Sequence, residues 1–287
     1  MSLNPCPVCG KKDGYQKIFG IDEGKQIAKC ACGLQAILPP PTREGIQNIY
    51  NEEYYDIYGM DHFQDAFNLK LKTCKRLINE VNRLILTSGN RYHLDIGCAF
   101  GYMIEAARSA GYDSHGIEIS PAADVAVKLG YKVRKGTLED AAFPKESFDL
   151  ITAVDVLEHI SEPGEWLQEC KRILKKSGLL LLVTPDCSSL TAHVLRNRWP
   201  HYKVEHLYYY SPRTLKRLLI SIGFDDLGSK TGIRYLTLNY IINHYRKFRP
   251  NSLETKGLEI LKALSPRRLL EYPLAFFSEM VVFARKI

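Results

Sequence analysis

The chain has 287 residues, 45% of them apolar, enough to bury one large core and carry a small extra module. Lysine and arginine outnumber aspartate and glutamate by 39 to 32, a formal net charge of +7 that favours anionic small molecules or surfaces and falls short of a nucleic-acid binder's dense basic stripe. No run of about 18 apolar residues and no charged-apolar-small leader occurs, so neither a membrane span nor an export signal is predicted and the expected location is cytoplasmic.

The first element is a cysteine-paired stretch. Cys6-Pro7-Val8-Cys9-Gly10 and Cys30-Ala31-Cys32-Gly33 flank a hairpin-like run around Gly20 and Gly24. Two such knuckles can place four thiolates around a tetrahedral zinc, and a reducing compartment favours metal over two disulfides. Residues 1–38 are therefore expected to form a zinc-ribbon-like module. Its unusual feature is the Cys30-x-Cys32 spacing, one residue short of the usual knuckle. Cys74, Cys98, Cys170 and Cys187 are scattered and read as buried thiols.

Pro39-Pro40-Pro41 closes the module and stiffens the exit. Residues 39–86 form an aromatic linker and leading helix: Thr42 can cap a helix from Arg43, Tyr50, Tyr54, Tyr55 and Tyr58 follow, and an amphipathic stretch runs from Gln64 to Leu86. The tyrosines either pack that helix on a sheet or line a substrate mouth.

Residues 87–287 alternate strands and helices. His93–Ile96 is a short apolar strand ending in Gly97-Cys98-Ala99-Phe100-Gly101, a helix-period segment runs from Tyr102 to Ala110, and a second strand ends in Glu118. Ligands of parallel sheets sit beyond the carboxyl ends of the strands, so the glycine turn and Glu118 should converge on one crevice. A dinucleotide fingerprint needs Gly-x-Gly-x-x-Gly to approach a pyrophosphate. Here Ala99 occupies the middle position, so a nucleoside without a pyrophosphate suits the turn better, with Glu118 accepting both ribose hydroxyls.

The alternation continues through a helix from Ser120-Pro121 to Leu129, a strand from Tyr131 to Lys135 and the loop Gly136-Thr137-Leu138-Glu139. Then come a strand over Phe148–Val154, the segment Asp155-Val156-Leu157-Glu158-His159, a helix over Trp166–Leu174 and a strand over Gly178–Val183. Glu205-His206 precedes three tyrosines and a helix opened by Ser211-Pro212, and Glu279–Lys286 reads as a final strand. This order predicts an α/β, doubly wound, mostly parallel sheet. Between 232 and 277 lie basic helical stretches that either rest on a membrane or anionic partner, or pack as solvated helices on the sheet.

Asp95, Gly97, Gly101 and Glu118 together resemble the class I S-adenosylmethionine-dependent methyltransferases, whose first motif is an acidic residue with a triple-glycine turn; Ala99 departs from the middle glycine. With the cysteine ribbon and Glu205-His206 added, the chain is similar to zinc-ribbon-headed methyltransferases of sugar and natural-product pathways, grading into the ubiquinone O-methyltransferase type. The resemblance implies a seven-stranded Rossmann-like sheet with an antiparallel last strand. It implies cofactor contacts from Asp95, Gly97, Cys98, Ala99, Gly101, Glu118 and Ile119, with Thr137 and Leu138 along the adenine and Asp155 at a strand end. The zinc ligands would be Cys6, Cys9, Cys30 and Cys32. The catalytic candidates are His206 and His159 with the glutamates before them, Glu205 and Glu158. The expected reaction is methyl transfer to a small molecule, a sugar nucleotide or glycan precursor by preference. The alternatives are an RNA methyltransferase whose ribbon grips nucleic acid, or a silent cofactor-binding protein. Lys203, where the sugar C-methyltransferases carry tyrosine, separates this chain from their full pattern.

Overall fold

The computed structural model describes residues 5–12, 14–21, 24–41, 63–85, 89–248, 252–270 and 272–287. The expected helix from Arg43 and the tyrosines at 50, 54, 55 and 58 lie outside them. The chain begins with an antiparallel meander of β1 (Tyr15–Gly20), β2 (Gln26–Cys30) and β3 (Gln35–Leu38). Helix α1 (Phe63–Asn82) follows and lays Leu77, Ile78 and Val81 on the main sheet, as its amphipathic spacing requires.

The main sheet starts with β4 (Arg91–Ile96), α2 (Tyr102–Ser109), β5 (Tyr112–Glu118), α3 (Ala122–Lys128), β6 (Lys132–Lys135) and β7 (Phe148–Val154). Next come α4 (Pro163–Ile173), β8 (Leu174–Pro185), the short helix α5 (Leu190–Leu195) and the two-residue strand β9 (Tyr208–Tyr209). Helix α6 (Pro212–Ile222), capped by Ser211 and Thr214, leads into β10 (Phe224–Thr231). An insert of β11 (Arg234–Thr237), α7 (Leu238–Phe248), α8 (Leu253–Leu264), α9 (Arg267–Leu270) and β12 (Pro273–Phe276) precedes β13 (Glu279–Lys286).

Seven strands form the sheet in the order β10-β13-β8-β7-β4-β5-β6. The pairs from β4 through β8 are parallel, and β13 is antiparallel to both β8 and β10. This is the doubly wound topology with the antiparallel last strand that the sequence predicts. The central strands β7 and β8 are almost wholly buried because helices cover both faces, which explains their unbroken apolar runs. The insert, expected to be helical, also contains the antiparallel pair β11-β12, whose strands are separated by the insert's three helices. Arg234-Tyr235-Leu236-Thr237 extends the pairing where a helix from Tyr235 was expected.

The ribbon is wired into the sheet domain. β3 pairs with β9, the Ile37 amide donates to the Leu207 carbonyl at 3.1 Å, and the Tyr202 hydroxyl donates to Gln35 at 2.8 Å. Ile27 and Ile37 share an apolar cluster with Trp199, Tyr202, Leu207 and Tyr209, while Cys6, Val8, Cys30 and Leu34 join the core beneath α4 and α6. Fully burying each aliphatic side chain contributes about 1.5–3 kcal/mol, so separating the ribbon would expose a large share of the folding energy. No described helix is long and apolar enough to cross a membrane.

Candidate active site

The turn after β4 is built around positive φ angles. Gly97 has φ +71°, and a Cβ there would stand 2.5 Å from Val156 Cγ2, so glycine is required on both backbone and steric grounds. Ala99 also adopts a left-handed φ of +45°. That conformation costs a non-glycine residue roughly 1–3 kcal/mol. Glu118 supplies the compensation: Oε2 accepts the Ala99 amide at 2.8 Å, and Oε1 accepts the Ser120 amide at 2.9 Å. A hydrogen bond to a charged group contributes about 1.5–3 kcal/mol, enough to hold alanine in place of glycine. The carboxylate retains lone pairs for further donors.

Beneath the turn runs a buried relay that the sequence did not reveal. Ser114 Oγ donates to His93 Nδ1 at 2.7 Å, His93 Nε2 donates to Thr152 Oγ1 at 2.8 Å, and Thr152 donates to Asp95 Oδ1 at 2.6 Å. Burial depresses His93 to a pKa of about 3 and raises Asp95 to about 7. The histidine is therefore a neutral spacer that orients the aspartate. Its signal, a polar residue on each of three adjacent strands, emerges only once β4, β5 and β7 are side by side.

Asp95, Gly97, Cys98, Ala99, Glu118, Ile119, Thr137, Leu138 and Asp155 all line one cavity of about 1920 Å³. Gly101 stays behind it, opening α2 against Tyr131. Glu158, His159 and His206 line the same cavity, and the ribbon's exit, Leu38 to Pro41, borders it. His159 Nδ1 donates to the Glu205 carbonyl at 2.9 Å, and the two imidazoles meet edge to face at 4.7 Å. Burial lowers the pKa of both rings, so both are neutral at pH 7. His206 Nδ1 has no hydrogen-bond partner among the described residues.

Neither histidine is held by the glutamate before it. The Glu205 carboxylate faces Lys203 at 3.7 Å; Lys203 lines the cavity and Glu205 does not. Glu158 accepts from Thr184 at 2.9 Å, and its Oε1 has no partner among the described residues; burial raises its pKa to about 8. Ligand atoms of Glu158, His159 and His206 lie within 4.8 Å of one another. The residue that sequence reasoning missed altogether is Arg234. From β11 it hydrogen-bonds to Asp155 and stands 2.5 Å from Glu279 Oε1, an ion pair without hydrogen-bond alignment. Burial pushes Asp155 up, yet Arg234 outweighs it and holds the carboxyl below its usual range.

The four ribbon cysteines also converge. Their Sγ atoms lie within 4.8 Å of one another, with Cys6 to Cys32 and Cys9 to Cys30 both at 3.6 Å and all four reduced. Four sulfurs about 2.3 Å from a central ion would be about 3.8 Å apart, close to these separations. The short Cys30-x-Cys32 spacing is accommodated by a tight turn: the Gly33 amide donates to the Cys30 carbonyl at 2.8 Å with Gly33 at φ +104°.

The profile described as "Methyltransferase domain" matches residues 60–228, more than half of the chain. The chain belongs to this family. Within it, the methyltransferase chain is 37% identical over 114 residues to the ubiquinone biosynthesis O-methyltransferase of Actinobacillus pleuropneumoniae serotype 7, covering 36% of this chain and 48% of that one. The corresponding enzyme of Bradyrhizobium sp. is 31% identical over 118 residues, covering 39% and 46%. The chain thus spans about half the length of the curated relatives it matches. Among solved structures, a methyltransferase of Thermotoga maritima aligns with a TM-score of 0.52 at 21% identity, covering 84% of this chain and all of that one. The [4+2]-cyclase SpnF aligns with a TM-score of 0.51 at 18% identity, covering 74% and 80%. These likenesses show the methyltransferase fold, and a cyclase among them means that fold alone does not specify the reaction.

The raised pKa of Asp95 carries a stability signature. An unfolded aspartate has a pKa of about 3.9, so between about pH 4 and pH 7 the folded state holds a proton that the unfolded state has lost. Its contribution is full below pH 4 and is lost as pH rises through 7, at about 1.4 kcal/mol per pH unit. Urea unfolding of wild type and Asp95→Asn at pH 4.5 and 7 should show the wild type losing roughly 2–3 kcal/mol relative to the variant. A difference independent of pH would contradict this.

Proposed function

We propose that this protein is an S-adenosylmethionine-dependent methyltransferase acting on a small-molecule oxygen acceptor. The observation that carries the reading is the convergence of the Glu118-clamped turn and two neutral histidines on one cavity, in a member of the methyltransferase family. The cofactor supplies an activated methyl group on sulfonium. Glu118 accepts the ribose hydroxyls with its remaining lone pairs, Thr137 and Leu138 flank the base, and Asp95 and the turn from Gly97 to Ala99 border the amino-acid end. The protein's chief work is alignment of acceptor and methyl group with water excluded. His206 takes the acceptor proton, its lowered pKa keeping it deprotonated and ready, and His159 positions the acceptor or serves as second base.

The curated relatives' names support oxygen as the nucleophile. The sugar-nucleotide or glycan-precursor reading draws on the ribbon and Glu205-His206, with an anionic acceptor suiting the basic balance, while Lys203 weighs against it. An RNA acceptor is the weaker alternative, because residues between Cys9 and Cys30 mix five lysines with Asp13, Asp22 and Glu23 and form no dense basic stripe. We further propose that Cys6, Cys9, Cys30 and Cys32 hold one structural zinc, with all four positions filled by thiolate and none left for a reacting water.

Calorimetry should show wild-type protein binding S-adenosylmethionine and Glu118→Ala binding it roughly tenfold or more weakly, since the variant loses the ribose acceptor and releases the Ala99 turn. No binding by wild type, or unchanged binding by the variant, contradicts the cofactor site.

Protein purified without chelator should contain one zinc per chain and lose it in the double variant Cys6→Ser with Cys9→Ser. Because β3 carries β9, metal loss should also lower the melting temperature of the whole chain. Wild-type protein without zinc, or a variant with unchanged metal content, rejects the site.

With an acceptor in hand, His206→Ala should lower kcat about 100-fold while cofactor affinity stays nearly constant. Full turnover in that variant, with the loss confined to His159→Ala, would reverse the assignment of the base.

A further inference from the structure

Helix α8 is turned the wrong way for a helix of a water-soluble surface. Leu253, Ile260 and Leu264 are 79%, 62% and 79% exposed, and with Gly257 they follow the i, i+4, i+7, i+11 spacing of a single helical stripe. Its other side meets α7, where Thr255 donates to the Tyr245 carbonyl at 3.3 Å and Arg246 pairs with Glu259. A second group of outward apolar residues, Leu190 and Val194, lies on α5. Single exposed aliphatic residues are ordinary; a continuous stripe is not.

The charge distribution identifies what these segments face. Residues 187–201 and 232–278 together contain ten lysines and arginines against three glutamates, a net +7. The remaining sequence contains 29 basic and 29 acidic residues, so the whole formal charge of the protein resides in the two segments with the exposed apolar side chains. Arg196, Arg198 and Lys256 are exposed beside them. Arg234 is paired with Asp155 and Glu279, and Arg246 with Glu259, so the exposed Arg196, Arg198 and Lys256 are the cations that stand beside the apolar side chains, a combination that matches an anionic lipid headgroup layer over an acyl boundary. A twofold contact between copies would instead bring two such cationic faces together, which like-charge repulsion opposes.

The two segments also meet at the cavity. Thr191 and Leu195 of α5 and Phe276 of β12 line it, and the Thr191 hydroxyl donates to the Phe277 carbonyl at 3.5 Å. We propose that α5 and the β11 to β12 insert dock this protein onto an anionic phospholipid bilayer, with the cavity rim at the membrane surface. The surface is argued independently of methyl transfer; delivery of an acceptor from the bilayer to the cavity is the consequence that rests on the function proposed above.

Co-sedimentation of the full chain with phosphatidylcholine vesicles, with and without about 30% phosphatidylglycerol, tests the proposal. Wild type should sediment with the anionic vesicles at least tenfold more strongly than with neutral ones, and about 0.5 M salt should weaken that binding. The triple variant Leu253→Ser, Ile260→Ser, Leu264→Ser should bind roughly tenfold or more weakly, with melting temperature and cofactor binding unchanged. Arg196→Gln with Arg198→Gln should weaken anionic-vesicle binding several-fold and leave neutral vesicles unaffected. Absence of vesicle binding, equal binding to both vesicle types, equal binding by the triple variant, or a wild-type dimer that the triple variant abolishes would each overturn it. Cofactor calorimetry on the same samples reports separately on the methyltransferase reading.

Discussion

The two hydrogen bonds accepted by Glu118 are the constraint from which the rest of the crevice follows. They join the turn after one strand to the turn after its neighbour and hold Ala99 in a conformation that alanine otherwise avoids. Without them the turn would relax, and the backbone from Gly97 to Ala99 would no longer border an open cavity. The same side chain ends β5 and leads into α3, so a single carboxylate couples sheet register, turn geometry and the candidate ribose contact. The cost of burying it is offset because both oxygens are hydrogen-bonded.

A second coupling runs between the ribbon and the segment that carries His206. β9 adds a fourth strand to the ribbon's meander, and the Leu207 amide donates to the Glu158 carbonyl at 2.7 Å, so the segment carrying Glu205 and His206 is clamped between the ribbon and the sheet domain. Tyr202 and Tyr209 fill the space between these parts, with ring centroids 5.0 Å apart. The ribbon thereby acts as scaffold for the histidine wall, and Pro39 to Pro41 forms part of the cavity rim. A sequence that places the cysteine module 50 residues before the first strand of the sheet hides this proximity, because pairing with β9 spans some 170 residues of chain.

Electrostatics divide the cavity into two regimes. At Asp155, Arg234 outweighs burial and keeps the carboxyl charged; at Glu158, burial and the neighbouring Asp155 raise the carboxyl, and burial keeps both histidines neutral. Such separation of proton affinities within one cavity is what acid-base chemistry near neutral pH requires. Arg234 comes from the insert and Asp155 from the end of β7, so the insert shapes the chemistry of the crevice as well as its rim.

By itself the sequence determined the fold class, the strand order's chief elements and the convergence of the glycine turn and Glu118 on one crevice, because those depend on local periodicity, on turns that demand glycine and on the rule that parallel sheets place their ligand crevices at the carboxyl ends of the strands. Glu279–Lys286 was legible as the last strand, and the four cysteines as one cluster. Tertiary structure alone decided which polar groups face one another. His93, Ser114 and Thr152 become a relay only when three strands align, Arg234 finds Asp155 across 79 residues, and Glu205 turns its carboxylate toward Lys203 while its carbonyl holds His159. Adjacency in sequence carries little information about such pairings, because neighbouring side chains diverge and a buried polar group takes whichever partner the packing of distant elements brings within reach.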